Sequence, residues 1–262
     1  MKYFWLLLSL LWMPCVTASP ELEEKINLTF SVNAPGTSPF LYFDEAANSY
    51  QGVVVDFFAS FEDKEAFDVV YLDTSRARYE NTVINASADL FVSAKAWLKD
   101  TGSFIFSNTL VTHDSHIYST TKFTTDFLPA KFTKATVCTR YNFTYPALGS
   151  HFNNKDLIRI NSSNQSTMTD MLIKSRCRFL IMGAEDARAE MFRPKYCMQA
   201  FFESPNVISS VDLVLVMHPA LGIIQDTINR QLVKFIDSGQ RNLSIKHHVG
   251  KQIFPKRTCS QS

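Results

Sequence analysis

Two histidine pairs are the residues in this chain whose spacing first suggests metal chemistry. His113 and His116 are three residues apart, and His247 and His248 are adjacent. Imidazole nitrogens are common metal ligands. However, residues three apart on a β-strand point to opposite faces of the sheet, and no third ligand stands at a suitable spacing. We therefore expect no metal site, and we expect no bound cofactor.

Motifs of nucleophilic and nucleotide chemistry are missing from the sequence. It contains no Gly-x-Ser-x-Gly nucleophile motif and no glycine-rich phosphate loop, and only 8 of its 262 residues are glycine. Glu185 and Asp186 are adjacent carboxylates. Neighbouring side chains on a helix diverge, which favours an exposed helix start over two acids that act together.

The charge balance argues against a nucleic-acid partner. The chain has 26 basic and 25 acidic residues, a net charge of +1, and no long run of one sign. Nucleic-acid-binding domains normally carry a basic stripe. A hydrophobic content of 46% is ordinary for a globular protein and excludes intrinsic disorder.

The N-terminus predicts a secretory signal peptide. Lys2 precedes an apolar run over 4–13, and small residues lead to a predicted cleavage after Ala18, so that residues 1–18 are removed. Cys15 lacks the small residues expected before a lipidated cysteine. No later stretch has the length of a membrane span. We expect an exported, soluble protein.

Four cysteines remain after that cleavage: Cys138, Cys177, Cys197 and Cys259. An even number in an exported protein is compatible with two disulfides in any of three connectivities. Buried, reduced thiols are the alternative. No Cys-x-x-Cys pair is present, so a zinc ribbon is not expected.

The pattern of hydrophobic residues predicts strands alternating with helices. The predicted strands are at 26–32, 68–72, 89–93, 135–139, 157–160, 179–182 and 211–217. One predicted helix begins at Gly52, and four others cover 75–86, 145–152, 166–174 and 184–192. A last helix begins at Pro219 and ends before Gly239. This order indicates βαβ units and a mainly parallel sheet, in two successive α/β halves without a linker.

Several short motifs follow one another along nearly the whole mature chain. They are Pro39-Phe40-Leu41-Tyr42, Gly52, Asp56, Arg76, Ala88-Asp89-Leu90, Phe106-Ser107, Val214-Leu215-Val216, Pro219-Ala220-Leu221, Ile228-Asn229 and Gly239. In this order and spacing they resemble extracellular solute-binding proteins of family 3, the polar amino-acid-binding type of periplasmic binding protein.

The resemblance implies an α/β fold of the type II periplasmic-binding-protein kind, with two Rossmann-like lobes joined by two crossover strands. The first lobe would comprise 19–114 and 215–262, and the second 115–214. A ligand would lie in the cleft between lobes that close by a hinge motion. The implied protein is a periplasmic monomer without enzymatic activity. It would capture a small polar solute, amino-acid-like or an organic anion, for an ABC-type membrane permease.

The same resemblance implies eight ligand-binding residues. They are Phe40, Tyr42, Arg76, Trp97, Ser107, Arg140, Tyr141 and Glu185. Aromatic rings can stack on a solute, and Arg140, directly after a predicted strand, is suited to clamp a carboxylate. Tyr145 is a further candidate. Core packing is the alternative for the aromatic residues, and a salt bridge is the alternative for Arg76.

Some positions depart from the family pattern. Asp100, preceded by Lys99, stands where amino-acid binders usually have an arginine. The position at which the family usually has an acidic ligand for the α-amino group lies near Gly183 in this sequence. The nearest acidic residue is Glu185. The resemblance therefore extends to fold and binding more than to the identity of the ligand. Two alternatives follow: a sensor of the same fold that acts through a membrane partner, and a small dehydratase that uses Glu185 as acid or base.

Overall fold

The computed structural model describes residues 26–61 and 67–258. The predicted signal peptide and Cys259 lie outside these ranges. No helix in the described ranges combines the length and the apolar character that a membrane crossing needs.

Twelve strands are present in the described residues. They are β1 (Ile26–Asn33), β2 (Gly36–Thr37), β3 (Leu41–Asp44), β4 (Ser49–Gln51), β5 (Phe67–Thr74), β6 (Leu90–Ala94), β7 (Ile105–Ser119), β8 (Ala135–Arg140), β9 (Leu157–Ser162), β10 (Phe179–Gly183), β11 (Phe202–Glu203) and β12 (Ser209–Met217).

Seven α-helices accompany these strands in the described part of the chain. They are α1 (Val53–Ala59), α2 (Tyr79–Ile84), α3 (Pro146–Asn153), α4 (Gln165–Ile173), α5 (Ala184–Met191), α6 (Gly222–Asp237) and α7 (Gln240–Val249).

One continuous sheet connects the two halves of the sequence. Its strand order is β5-β1-β6-β12-β7-β10-β8-β9, and β11 also pairs with β7. The pairs at the two ends of the sheet are parallel, as the strand–helix alternation predicts. The central strands β12 and β7 are antiparallel to each other and to their neighbours β6 and β10. These two strands therefore cross between two parallel α/β halves.

The hydrophobic core is divided along the same line. One cluster of buried apolar side chains is formed by residues within 28–111 and 213–235. Two further clusters are formed by residues within 117–201. The division of the core follows the crossing strands, and the exact lobe boundaries stay predictions.

Helix α1 begins at a position that only glycine fits. Gly52 has φ 124°, and a Cβ there would lie 2.6 Å from the carbonyl oxygen of Phe40 and 2.7 Å from that of Pro39. Those carbonyls accept the N–H groups of Val53 and Val54. The start of α1 is thereby fastened to the loop that leads into β3.

Helix α2 is shorter than the sequence predicts. The Ser75 carbonyl accepts the N–H groups of Arg78 and Tyr79, which forms a turn before the helix begins at Tyr79. Arg76 lies in this turn instead of in a helix. The small sheet of β2, β3 and β4 is also absent from the sequence prediction.

At least three cysteines are oxidised. Cys138 in β8 forms a disulfide with Cys177 before β10, 39 residues away in sequence. Cys197 is disulfide-bonded as well. The alternative of reduced thiols is therefore wrong for these residues.

Candidate functional site

A cavity of about 170 Å³ lies where the two parallel halves of the sheet face each other. The cavity is lined by the last residue of each of three strands, which are Asn33 of β1, Arg140 of β8 and Gly183 of β10. In open α/β sheets this carboxyl edge is where ligands bind. The lining aromatic residues are Phe30, Phe40, Tyr79, Trp97, Phe143 and Tyr145, and the lining charged or imidazole residues are Arg76, His113, Arg140 and Asp186.

Arg140 lines the cavity, and its side chain forms no hydrogen bond with the described residues. Its Nε is buried and has no hydrogen-bond partner among the described residues. The guanidinium lies over the Phe143 ring, 4.7 Å from the ring centroid. The Tyr145 hydroxyl accepts the backbone N–H of Arg140 at 2.9 Å, which fixes the end of β8. Burial lowers the pKa of Arg140, while the nearby Tyr145 and Asp186 raise it.

Arg76 approaches the same aromatic ring from the other half of the sheet. Its guanidinium carbon is 4.3 Å from the Tyr79 ring centroid and 5.0 Å from that of Phe143. Its Nη2 donates to the carbonyl of Trp97 at 3.5 Å. Burial lowers the pKa of Arg76 to about 10. Glu80 opposes this shift and the positive charge of Arg140 adds to it. The guanidinium groups of Arg76 and Arg140 therefore both lie next to the ring of Phe143.

Asp186 is a buried acid in the first turn of α5. Its residue is only 7% exposed, and its Oδ1 has no hydrogen-bond partner among the described residues. Burial raises the pKa of Asp186 to about 8. The negative charge of Glu185 adds to this shift, and Arg140 opposes it. At neutral pH the solute-free cavity therefore holds a mostly protonated carboxyl group, which can donate or accept a hydrogen bond.

His113 of β7 closes the cavity beside Asp186. Its Nε2 is 3.9 Å from Asp186 Oδ2, and its Nδ1 has no hydrogen-bond partner in the described ranges. Its ring meets Phe40 and Trp97 edge-on at 5.5 and 5.6 Å between centroids. Burial lowers the pKa of His113 to about 4, against the charge of Asp114, so the imidazole is neutral.

Gly183 makes the approach of His113 and Asp186 possible. A Cβ at this position would overlap the His113 ring atoms Cε1 and Nε2, and it would lie 2.9 Å from Asp186 Oδ2. The absence of a side chain at the end of β10 therefore creates space for both groups. No cluster of three or more histidine, cysteine or acidic residues within 26–61 and 67–258 has the arrangement of a metal site.

Four of the eight residues named from the sequence line this cavity. They are Phe40, Arg76, Trp97 and Arg140. Tyr145, the further candidate, lines it too. Their contribution to solute binding stays a prediction.

Tyr42 and Ser107 lie outside the cavity lining. The Tyr42 hydroxyl forms a hydrogen bond of 3.1 Å with His248 Nδ1, which ties β3 to α7. Ser107 is buried between the crossing strands, where its Oγ accepts the N–H of Leu215 at 2.9 Å. Both side chains have structural partners that hold them away from the cavity.

Tyr141 and Glu185 also lie outside the lining. Tyr141 is 63% exposed and points out of the turn after β8. Glu185 forms an ion pair of 2.7 Å with Arg188 on the same helix. The expectation of an exposed helix start is wrong for the next residue, since Asp186 is buried and lines the cavity.

The sequence reasoning missed His113, Phe143 and Asp186 as cavity residues. A signal for Asp186 was present in the helical pattern. Ala187 and Met191 are apolar and four residues apart, so they mark the buried face of α5. Positions 186 and 190 each precede one of them and adjoin that face. Glu190 is accordingly buried as well.

No protein-family profile and no curated protein matches the chain. Many solved structures share its fold. One is an arginine transport-system periplasmic binding protein from Legionella pneumophila, with 16% identity and a TM-score of 0.69 over 86% of this chain and all of that one. Another is the ligand-binding core of GluR0 with L-glutamate, with 12% identity and a TM-score of 0.69 over 86% and 99%.

A third similar structure is an ancestral amino-acid-binding protein described as a precursor of cyclohexadienyl dehydratase. Its identity is 13% and its TM-score 0.67, over 85% of this chain and 95% of that chain. The resemblance to amino-acid-binding proteins is thus confirmed at the level of the fold, which is the α/β type II periplasmic-binding-protein fold.

Proposed function

We propose that this protein is a periplasmic solute-binding protein that captures a small polar solute carrying a carboxylate. One observation carries the proposal: Arg140 Nε and Asp186 Oδ1 are both buried and unpartnered among the described residues, and both residues line one cavity. A buried polar atom without a partner costs about 1 to 3 kcal/mol, and a solute that pairs with it removes that cost.

The two groups fit the two ends of an amino-acid-like molecule. The Arg140 guanidinium can hold a carboxylate through two parallel hydrogen bonds. Asp186 can accept a hydrogen bond from an ammonium or hydroxyl group, and an ammonium would draw the proton off its carboxyl. The aromatic walls would cover the apolar part of the solute.

The position of the cavity fits a protein that closes around its solute. Arg76 comes from one half of the sheet, and Arg140 and Asp186 come from the other. A solute that contacts both halves favours the closed state by its higher affinity for that state. The fold is shared with a periplasmic binding protein of an arginine transport system, which supports capture and delivery to a membrane permease.

A thermal-shift screen of the protein from Ser19 onward tests this function. Amino acids, organic acids, small peptides and polyamines are the probes. A solute at a hundredfold excess over its Kd stabilises the native state by about 2.7 kcal/mol. We expect a shift with at least one carboxylate-bearing class, lost in Arg140→Ala and kept in Arg230→Gln, an exposed arginine on α6. A folded protein that responds to no class would refute the proposal.

Delivery to a permease makes a separate prediction. Deleting the gene should abolish high-affinity uptake of the solute that the screen identifies. Unchanged uptake with a changed cellular response to the solute would favour the sensor alternative.

A dehydratase is the second candidate, because a buried carboxyl that keeps its proton lies 3.9 Å from a neutral imidazole in the cavity. One protein of this fold is described as a precursor of such an enzyme. Mass spectrometry of each bound solute after incubation tests the candidate. Loss of water that ceases in Asp186→Asn would support an enzyme, and recovery of every solute unchanged would support pure binding.

A further inference from the structure

The cavity contains more cationic hydrogen-bonding capacity than one carboxylate uses. Arg140 makes no side-chain hydrogen bond within the described residues, and Arg76 makes only the 3.5 Å contact to the Trp97 carbonyl. A guanidinium has five N–H donors, and a carboxylate in the bidentate arrangement uses two. Two nearly unused guanidinium groups therefore border the same space.

Aromatic rings lie next to both guanidinium groups. Phe143 lies against Arg76 and Arg140, and Tyr79 lies against Arg76. Ring stacking covers the flat face of a guanidinium, while its donors lie in the plane. Both guanidinium carbons are within 5.0 Å of the Phe143 centroid, so they are less than about 10 Å apart. Two acidic groups on a short chain or a single ring span such a distance.

The acids of the protein do not satisfy these donors. Asp186 is the one acidic residue in the described lining, and it forms no ion pair with either arginine. Glu80 attracts Arg76 but lies outside the lining, and its Oε2 accepts the N–H of Lys99 at 3.1 Å. Arg76 and Arg140 carry like charges next to the same Phe143 ring, and the charge of Arg140 lowers the pKa of Arg76. An anionic solute between the arginines removes this repulsion.

We propose that the solute has two acidic groups, one for Arg76 and one for Arg140, and that Arg76 selects the second acid. The inference rests on the proposed binding function and narrows its solute class to dicarboxylates and acidic amino acids. Solutes with a net positive charge are disfavoured, because they would add positive charge to a cavity that two guanidinium groups already border.

Probe pairs that differ by one acid test the inference. L-glutamate is compared with L-glutamine, succinate with succinamate, and phthalate with phthalamate, by isothermal titration calorimetry. Hydrogen bonds to charged groups contribute enough for roughly a 10- to 100-fold difference in Kd. We expect at least one diacid to bind that much more tightly than its amide partner.

The variants assign the preference to one residue. In Arg76→Gln the gap between diacid and amide should shrink to less than about threefold, because the amide's binding through Arg140 is kept. In Arg140→Gln both members of the pair should weaken, and in Arg230→Gln neither should. Arg76→Lys keeps the positive charge but loses the two parallel N–H donors of arginine, so it should restore part of the difference in Kd between diacid and amide. It also serves as a second variant if Arg76→Gln does not fold.

The results separate this inference from the proposed function. If neutral or cationic amino acids bind through Arg140 and no diacid binds better than its amide, the function stands and the inference is overturned. The inference is also overturned if the gap survives in a folded Arg76→Gln protein. If no probe of any class binds, both are overturned.

Discussion

Replacing Asp186 by asparagine should stabilise the solute-free protein at neutral pH and leave it unchanged at acidic pH. The buried carboxyl keeps its proton to about pH 8, whereas the ordinary pKa of an aspartate is 3.8. Between these values the native state binds one proton more than the unfolded state. Stability therefore falls as pH rises through this window. Asparagine resembles the protonated acid in shape and cannot ionise.

The magnitude follows from the two pKa values. One pKa unit corresponds to 1.36 kcal/mol, and at pH 7 the unfolded acid is ionised while the native acid is mostly protonated. The native state of the wild-type protein is then disfavoured by about 4 kcal/mol relative to its value at pH 4. Asp186→Asn removes this loss. Its free energy of unfolding, relative to wild type, should increase by about that amount between pH 4 and pH 7.

Urea unfolding at pH 4, 5.5, 7 and 8 measures the difference. The buffers should contain neither carboxylate nor phosphate, which would bind the arginines, and the m-values should agree between proteins. Asp226→Asn is the control, since it removes a negative charge from an exposed position on α6 outside the cavity lining. A difference for Asp186→Asn that stays constant with pH, or that also appears in the control, refutes the reasoning.

Three further outcomes are expected in the same unfolding assay. His113→Gln should gain about 3 kcal/mol over wild type as pH falls from 6.5 to 4, because burial keeps the pKa of His113 at about 4; a constant difference would contradict this. Replacing both Cys138 and Cys177 by alanine should cost about 4 kcal/mol, since their disulfide closes a loop of 39 residues, without loss of solute binding; a stability equal to wild type would contradict this. Gly52→Ala should cost more than about 2 kcal/mol, whereas Gly222→Ala, with open space around it, should cost less than about 1; equal effects would contradict the strain argument.

The alternation of strands and helices could be predicted from the sequence because its hydrophobic residues repeat with the periods of both elements. Predicted strands such as 26–32 and 211–217 differ from β1 and β12 by only one or two residues. The proline and glycine content of residues 33–39 predicts a loop. Gly36, at φ 86°, instead turns the chain into β2, which pairs with β3 across a short turn. A strand of two residues is too short to show the alternation from which strands are predicted.

The candidate site was predictable where a residue ends a strand. Arg140 directly follows an apolar run, so its place at the carboxyl edge of the sheet followed from the sequence. His113 was not predictable in this way, because it lies within β7 and reaches the cavity only through the crossing of that strand. The choice between Glu185 and Asp186 required the position of the buried face of α5, which the apolar residues Ala187 and Met191 mark in the sequence.

The loop that brings Phe143 into the cavity also bears on the choice of expression host. Asn142-Phe143-Thr144 has the acceptor sequence for N-linked glycosylation. Asn142 is exposed at φ 60°, between Arg140 and Phe143, and Thr144 lines the cavity. Asn142 is outside the lining, but a bulky sugar attached to it would lie within two residues of Phe143 and Thr144, which line the cavity. Comparing solute binding by protein from a glycosylating eukaryotic cell and from a host without this modification would show whether the sugar obstructs the site.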